Sequence, residues 1–283
     1  MKIKNILLIA FILIQNSFFA QVTIPNASPA ASIKQTIGYT EVTIEYNRPS
    51  LRNRDMFEDL TREGEVWRTG ANMATRLTLS DKITIGGKEL SPGKYSIYSI
   101  PGKKEWTIII NRKISWGTQY DEKLDLVRIK VPTLKSKENH ESFTFYFSNT
   151  TEDSAILGFA WENTKVELSL NADVHQKTLD NINAVMADES KATTRDFFMS
   201  TEYYLKKGLN PQKALKWATI VADRVPNRYG MVALKARAQA NIGKYKEAVI
   251  TGKKVIELAE KAKNLDYVHN YKKLIAVWEK KSK

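Results

Sequence analysis

The chain has 283 residues, carries 44 Lys and Arg against 31 Asp and Glu for a formal charge of +13, and has no Cys. A disulfide, a thiol nucleophile and a lipid-modified cysteine are therefore excluded, and stability has to come from buried apolar surface. The length suits one large domain or two ordinary ones, each able to hold its own core.

In chain order, residues 1–20 have the layout of an export signal, with Lys2 and Lys4, an apolar run from Ile6 to Ile14, and Ala20 at the cut. Ser28-Pro29-Ala30 offers an alternative cut. The apolar run falls short of the roughly 18 to 20 residues that a membrane-spanning helix needs. The expected product is exported by a cleavable signal, periplasmic or secreted, with no membrane span after signal removal. Residues 21–33 read as an N-terminal extension.

Residues 34–171 read as short strands separated by turns. TEVTIEY (40–46) alternates, with Val42, Ile44 and Tyr46 on one face and Thr43 and Glu45 on the other. RLTLS, KITIGGKEL, KYSIYSI, EWTIIINR, LVRIKVP, SFTFYF, ILGFAW and KVELSL continue the pattern. Gly86-Gly87 suits a hairpin turn because both residues accept positive φ. Ten or so strands without helical periodicity between them predict an all-β antiparallel sandwich or barrel. Residues 47–74 follow neither period. Phe57, Leu60, Val66 and Trp67 argue against disorder there, so the segment is expected to be a long ordered loop over one end of the β domain.

After Asn171 the pattern becomes helical, and residues 172–283 form the second expected domain. Ala214 aligns with Ala248 and Val221 with Val255 at an offset of 34, the period of tetratricopeptide hairpins. Gly243, Tyr245 and Ala248 fall on the repeat's Gly, Tyr and Ala positions, and Pro226 matches the closing Pro, whereas Glu260 stands where the second copy would have one. The stretch resembles that family: two hairpins and a last helix from about 265 to 281, an all-α array expected to pack on the β domain. The basicity lies here. Residues 21–171 carry 20 Lys and Arg against 19 Asp and Glu, and residues 172–283 carry 22 against 12. An acidic protein or peptide could dock on these repeats. Nucleic acid is not an expected partner, since no base-reading module is present.

The β region also contains Tyr46-Asn47-Arg48-Pro49-Ser50, Arg54 with Phe57, Trp67-Arg68-Thr69-Gly70-Ala71-Asn72, Pro92-Gly93, Pro101-Gly102 to Trp106, Asn111, Trp116-Gly117, Tyr120, Asp125 and Arg128. On these motifs, residues 34–170 resemble the domain-of-unknown-function 2911 family, a group of exported bacterial proteins without an assigned activity. Glu58 and Thr61-Arg62-Glu63 depart from its usual Gly and Val-Pro-Tyr. The resemblance implies a place to look and no reaction.

Arg48, Arg54 and Arg68 lie in one loop system, and their guanidinium forks suit a carboxylate, a phosphate or a row of backbone carbonyls. The candidate ligand-binding residues are Arg48, Arg54, Arg68 and Asn72, with Trp67 and Trp116 as walls and Asn111 as an addition; the ligand is expected to be polar or anionic. The competing reading is that these arginines only pin their own loop. Trp106 and Trp161, in strands, are expected in the core.

No catalytic residue is assigned. His140, His175 and His269 are scattered, and no HExxH, GxSxG or GxxxxGK motif is present. No metal and no cofactor are expected. The alternative from another class is a hydrolase of envelope glycan or peptide using two of Asp55, Glu58, Asp59, Glu63 and Glu65. The preferred reading is an exported, non-enzymatic binding or assembly module.

Overall fold

A computed structural model describes residues 24–283, so the expected export signal lies outside the described residues. They form two compact units, one ending at Asp173 and one running from Val174 to Lys283.

The first unit has ten strands: β1 (Ala30–Ile37), β2 (Thr40–Asn47), β3 (Thr75–Leu79), β4 (Ile83–Ile85), β5 (Lys88–Leu90), β6 (Gly93–Ile100), β7 (Glu105–Asn111), β8 (Asp125–Pro132), β9 (Leu134–Ser148) and β10 (Ser154–Asn171). β1 starts inside the stretch read as an extension. All pairings are antiparallel. One sheet has the order β1-β2-β3-β6-β7-β8 and the other β5-β4-β10-β9. Two separate sheets make the unit a sandwich and not a barrel. Alternation decides which side chains meet between them. Leu77, Ile97, Ile108 and Ile110 of the first sheet enclose one small void with Ile85, Phe145, Leu157, Phe159 and Leu168 of the second. The Gly86-Gly87 hairpin forms, with φ of 54° and 80°.

ILGFAW and KVELSL, separate runs in the sequence, are one 18-residue strand, β10. It stays continuous because register shifts on both sides of Glu162 absorb an irregularity, with Glu162 itself at φ 50°.

The segment between β2 and β3 is ordered and crosses from one sheet to the other. Ser50 bridges Ser142 of β9, and Trp67 bridges Ser99 of β6 through two backbone bonds of 2.7 and 2.8 Å. Between them lies one helical turn, Met56–Thr61, whose first amides, Phe57 and Glu58, donate to the Asp55 carboxylate. Met56 is fully buried, and Trp67 stacks on Trp161 at 5.5 Å and meets Trp106 and Phe143 edge-on. Trp106 and Trp161 sit in the core as their strand positions require.

The second unit has six helices: α1 (His175–Val185), α2 (Thr194–Lys207), α3 (Pro211–Arg224), α4 (Tyr229–Asn241), α5 (Tyr245–Lys261) and α6 (Leu265–Lys281). Ala214, Val221, Ala248 and Val255, the residues paired by the 34-residue offset, are all fully buried. The hairpins α2–α3 and α4–α5 thus repeat the same packing. Pro226 disfavours helix at the residue before it, and α3 stops at Arg224. With Glu260 in the equivalent position, α5 runs on to Lys261. Among the described residues no helix is long and apolar enough to cross a membrane.

Candidate functional site

The outer face of the six-stranded sheet carries one polar row. Cross-strand pairing aligns Ser32, Glu45, Arg76, Ser96, Asn111 and Asp125, one residue from each strand. Their neighbours along the strands, such as Ile44, Leu77, Ile97 and Ile110, point into the sandwich.

Half of this row is roofed by the segment joining β7 and β8. Ser96 Oγ donates to the Lys113 carbonyl at 2.7 Å, Tyr98 and Ser115 share a hydroxyl bond at 3.1 Å, and Asn111 Nδ2 donates to the Asp121 carbonyl and Asp125 Oδ1 at 2.9 and 2.7 Å. Asp125 also accepts from Tyr120 at 2.6 Å and Arg128 at 2.9 Å. Burial, reinforced by the bond to Asp125, pushes the Tyr120 phenol up to about 12. Asn111 is fully buried, so its amide is spent on holding this segment.

The other half stays open. Ser32, Glu45 and Arg76, with Ala30, Asn47 and Met73, line a cleft of about 390 Å³. Arg76 reaches Glu45 at 3.4 Å, longer than the roughly 2.7–2.9 Å of a tight charge-assisted bond. Its Nε is buried with no acceptor among the described residues, and so is Nδ2 of Asn72, the residue before Met73. A buried donor left unpaired costs roughly 1–3 kcal/mol, so each needs an explanation. Thr69 and Asn72 hold φ of 52° and 60° in the turn that leads into Met73. Positive φ is costly for a β-branched residue, and strain of this kind gathers at binding sites. Trp116 forms an isolated bridge with Met73 and is 58% exposed.

Residues 28–170, half of the chain, match the family model described as a protein of unknown function (DUF2911). The chain belongs to the DUF2911 family. No curated protein and no solved structure matches it. The match begins just ahead of β1 and ends in β10, so the DUF2911 unit is the sandwich with its polar row.

Within the DUF2911 unit the sequence-predicted residues go to different places. Arg48 donates to the Phe143 carbonyl and Thr144 Oγ1, and Arg54 to the carbonyls of Leu51 and Ser50. Both guanidinium groups are engaged with backbone or hydroxyl acceptors beside β9. Trp67 is 8% exposed and packs among core aromatics. Arg68 donates to the Asn72 carbonyl at 3.1 Å, bracing its own turn. None of the seven lines the open cleft; Asn72 precedes its wall residue Met73 and Trp116 bridges Met73. The three arginines therefore form no common cluster, because each closes the nearest unpaired carbonyl or hydroxyl.

Glu45, Ser32 and Arg76 were missed as site residues, although Glu45 is on the polar side of TEVTIEY and the signal was there to extend across strands. The loop carboxylates serve local structure: Asp59 accepts from the Asp55 amide, Glu63 from the Lys103 amide, and Glu65 pairs with Arg62 at 3.7 Å. His140 Nε2 meets Ser136 Oγ at 3.1 Å, but Ser136 is 4% exposed, which seals it from a substrate. His175 bonds Tyr203. Among the described residues no His, Cys, Asp and Glu group is arranged to hold a metal ion.

In the helical unit, α2, α4 and α6 share one cleft of about 240 Å³, lined by Glu202, Arg237 and Tyr267 among others. Glu202 and Arg237 pair across it at 2.6 Å. Lys206, Lys207, Lys253, Lys254, Lys272 and Lys273 are all exposed and line neither this cleft nor the adjoining one beside Arg228.

Proposed function

We propose that this is an exported binding or assembly module of the cell envelope whose open cleft on the outer sheet face captures a small polar or anionic group. The observation that carries this reading is the Arg76–Glu45 pair, held loosely at 3.4 Å, on the part of the polar row that lines the open cleft. A ligand oxygen there meets the Arg76 guanidinium, whose side chain is 31% exposed. The helical unit serves as a docking surface for an acidic partner, supported by its 22 Lys and Arg against 11 Asp and Glu. Association there weakens as salt rises, because exposed charges are screened within roughly 8 Å at physiological ionic strength.

The test is calorimetric titration of the full chain with inorganic phosphate, acetate and simple sugars, beside the Arg76→Met variant. Saturable binding lost in Arg76→Met while the melting temperature holds supports the reading. Failure of every probe to bind rejects it.

A further inference from the structure

The open cleft and the exposed indole beside it narrow the ligand class, on the footing of the binding reading above. We infer that the cleft takes an uncharged saccharide, hydrogen-bonded by Arg76 and Glu45 while one ring face lies on Trp116.

The charge balance points this way. Glu45 stands 3.4 Å from the Arg76 guanidinium, so the cation is already offset and a phosphate or carboxylate placed beside Arg76 also meets the Glu45 carboxylate. A sugar hydroxyl meets no such conflict, because it is donor and acceptor at once. It accepts from the exposed part of the Arg76 guanidinium and donates to Glu45.

Trp116 supplies the apolar half. The other five tryptophans, at 67, 106, 161, 217 and 278, are 8% exposed or less, whereas Trp116 is 58% exposed. The electron-rich face of an indole attracts the C–H face of a pyranose ring. The backbone that carries Trp116 is held in place: the bonds from Ser96, Tyr98 and Asn111 fix its segment, and the bridge to Met73 joins it to the cleft wall. An aromatic with two rotatable bonds on a fixed backbone loses little freedom on binding. The cleft, about 390 Å³, lies at the small end of the roughly 300–1,000 Å³ typical of ligand sites, the scale of one or two rings.

The same exposure pattern makes the test specific, since quenching of tryptophan emission by acrylamide in this chain reports mainly on Trp116. Cellobiose and chitobiose are titrated into the full chain with inorganic phosphate and acetate as the anionic probes. Expected is saturable protection from quenching by a disaccharide, with a dissociation constant on the order of 0.1–1 mM for so open a site. By calorimetry, Trp116→Ala weakens that binding about tenfold, as does Arg76→Met. The melting temperature of Trp116→Ala stays unchanged, as befits an exposed side chain. Arg76-dependent binding of phosphate or acetate with no protection by either disaccharide overturns the saccharide assignment and leaves the binding reading standing. Absence of binding by any probe overturns both. Disaccharide binding unaffected by Trp116→Ala overturns the stacking arrangement.

Discussion

Arg68 lays its aliphatic stem directly on Gly117: a Cβ built on that glycine would fall 2.2 Å from Arg68 Cδ and 2.7 Å from Arg68 Cβ. The contact joins the turn of residues 68–75 to the segment that carries Trp116, and the guanidinium then closes the turn on the Asn72 carbonyl. Gly117→Ala should destabilise the sandwich by about 1–3 kcal/mol through overpacking. Denaturant midpoints measure this. In an Arg68→Ala background the same change should cost less, because the contacts with Cδ and Cγ are gone while that with Cβ at 2.7 Å remains; additive losses would show that the two residues do not couple.

Trp67 and Trp116 should behave oppositely. Trp67 ties the crossing segment to the core through Trp161, Trp106 and Phe143, and Trp67→Ala should cost about 3–5 kcal/mol. Trp116→Ala, at an exposed position, should stay within about 0.5 kcal/mol. Urea unfolding of the two variants compares them, and a large loss from Trp116→Ala would mean that this indole is structural.

The arginines separate in the same way. Arg48 spans two bonds into β9, at 3.2 Å to the Phe143 carbonyl and 2.6 Å to Thr144, so Arg48→Met should lose about 1.5–3 kcal/mol for each charge-assisted bond it breaks. Arg76, paired loosely with a half-exposed Glu45, should lose under about 1 kcal/mol on change to Met. Thermal melts should rank Arg48→Met well below Arg76→Met, and the reverse order would contradict the division into pinning and open arginines.

The sandwich was legible because alternation in TEVTIEY, KYSIYSI and EWTIIINR is a direct print of a sheet with one buried face. The repeats were legible because Ala248 and Val255 recur 34 residues after Ala214 and Val221 in the same packed positions. The site was only partly legible. Proximity in sequence grouped Arg48, Arg54 and Arg68, but guanidinium groups follow the nearest carbonyls, and those belong to Phe143, Leu51, Ser50 and Asn72. The row from Ser32 to Asp125 arises from the register of six strands, which no single stretch of sequence specifies. Asn111 entered the candidates as one of the polar motif residues; its partners Asp121 and Asp125 lie on the segment it holds down and at the start of β8.

Glu162 gives a stability profile with a defined direction. It stands at φ 50° between the register shifts of β10, opposite His140. Burial first, and then the charge of Asp55, hold its carboxyl above the ordinary value of 4.5. A carboxyl raised in the folded state binds its proton more tightly there than in the unfolded chain. Its favourable contribution is therefore complete below about pH 4.5 and is lost as pH rises through the folded value. Glu162→Gln removes the ionised form, so at neutral pH it should be more stable than the parent, by less than about 1 kcal/mol because solvent screens this side chain. The gain should vanish on acidification below about pH 4. Glu162→Gly removes the charge and also relieves the positive φ, so any stability it gains beyond Glu162→Gln at neutral pH, and any it keeps in acid, measures the relieved strain net of the side-chain packing and the unfolded-state entropy that glycine costs. Urea midpoints across this range check both, and a Glu162→Gln chain less stable than the parent at neutral pH would mean that the ionised carboxylate is a structural partner.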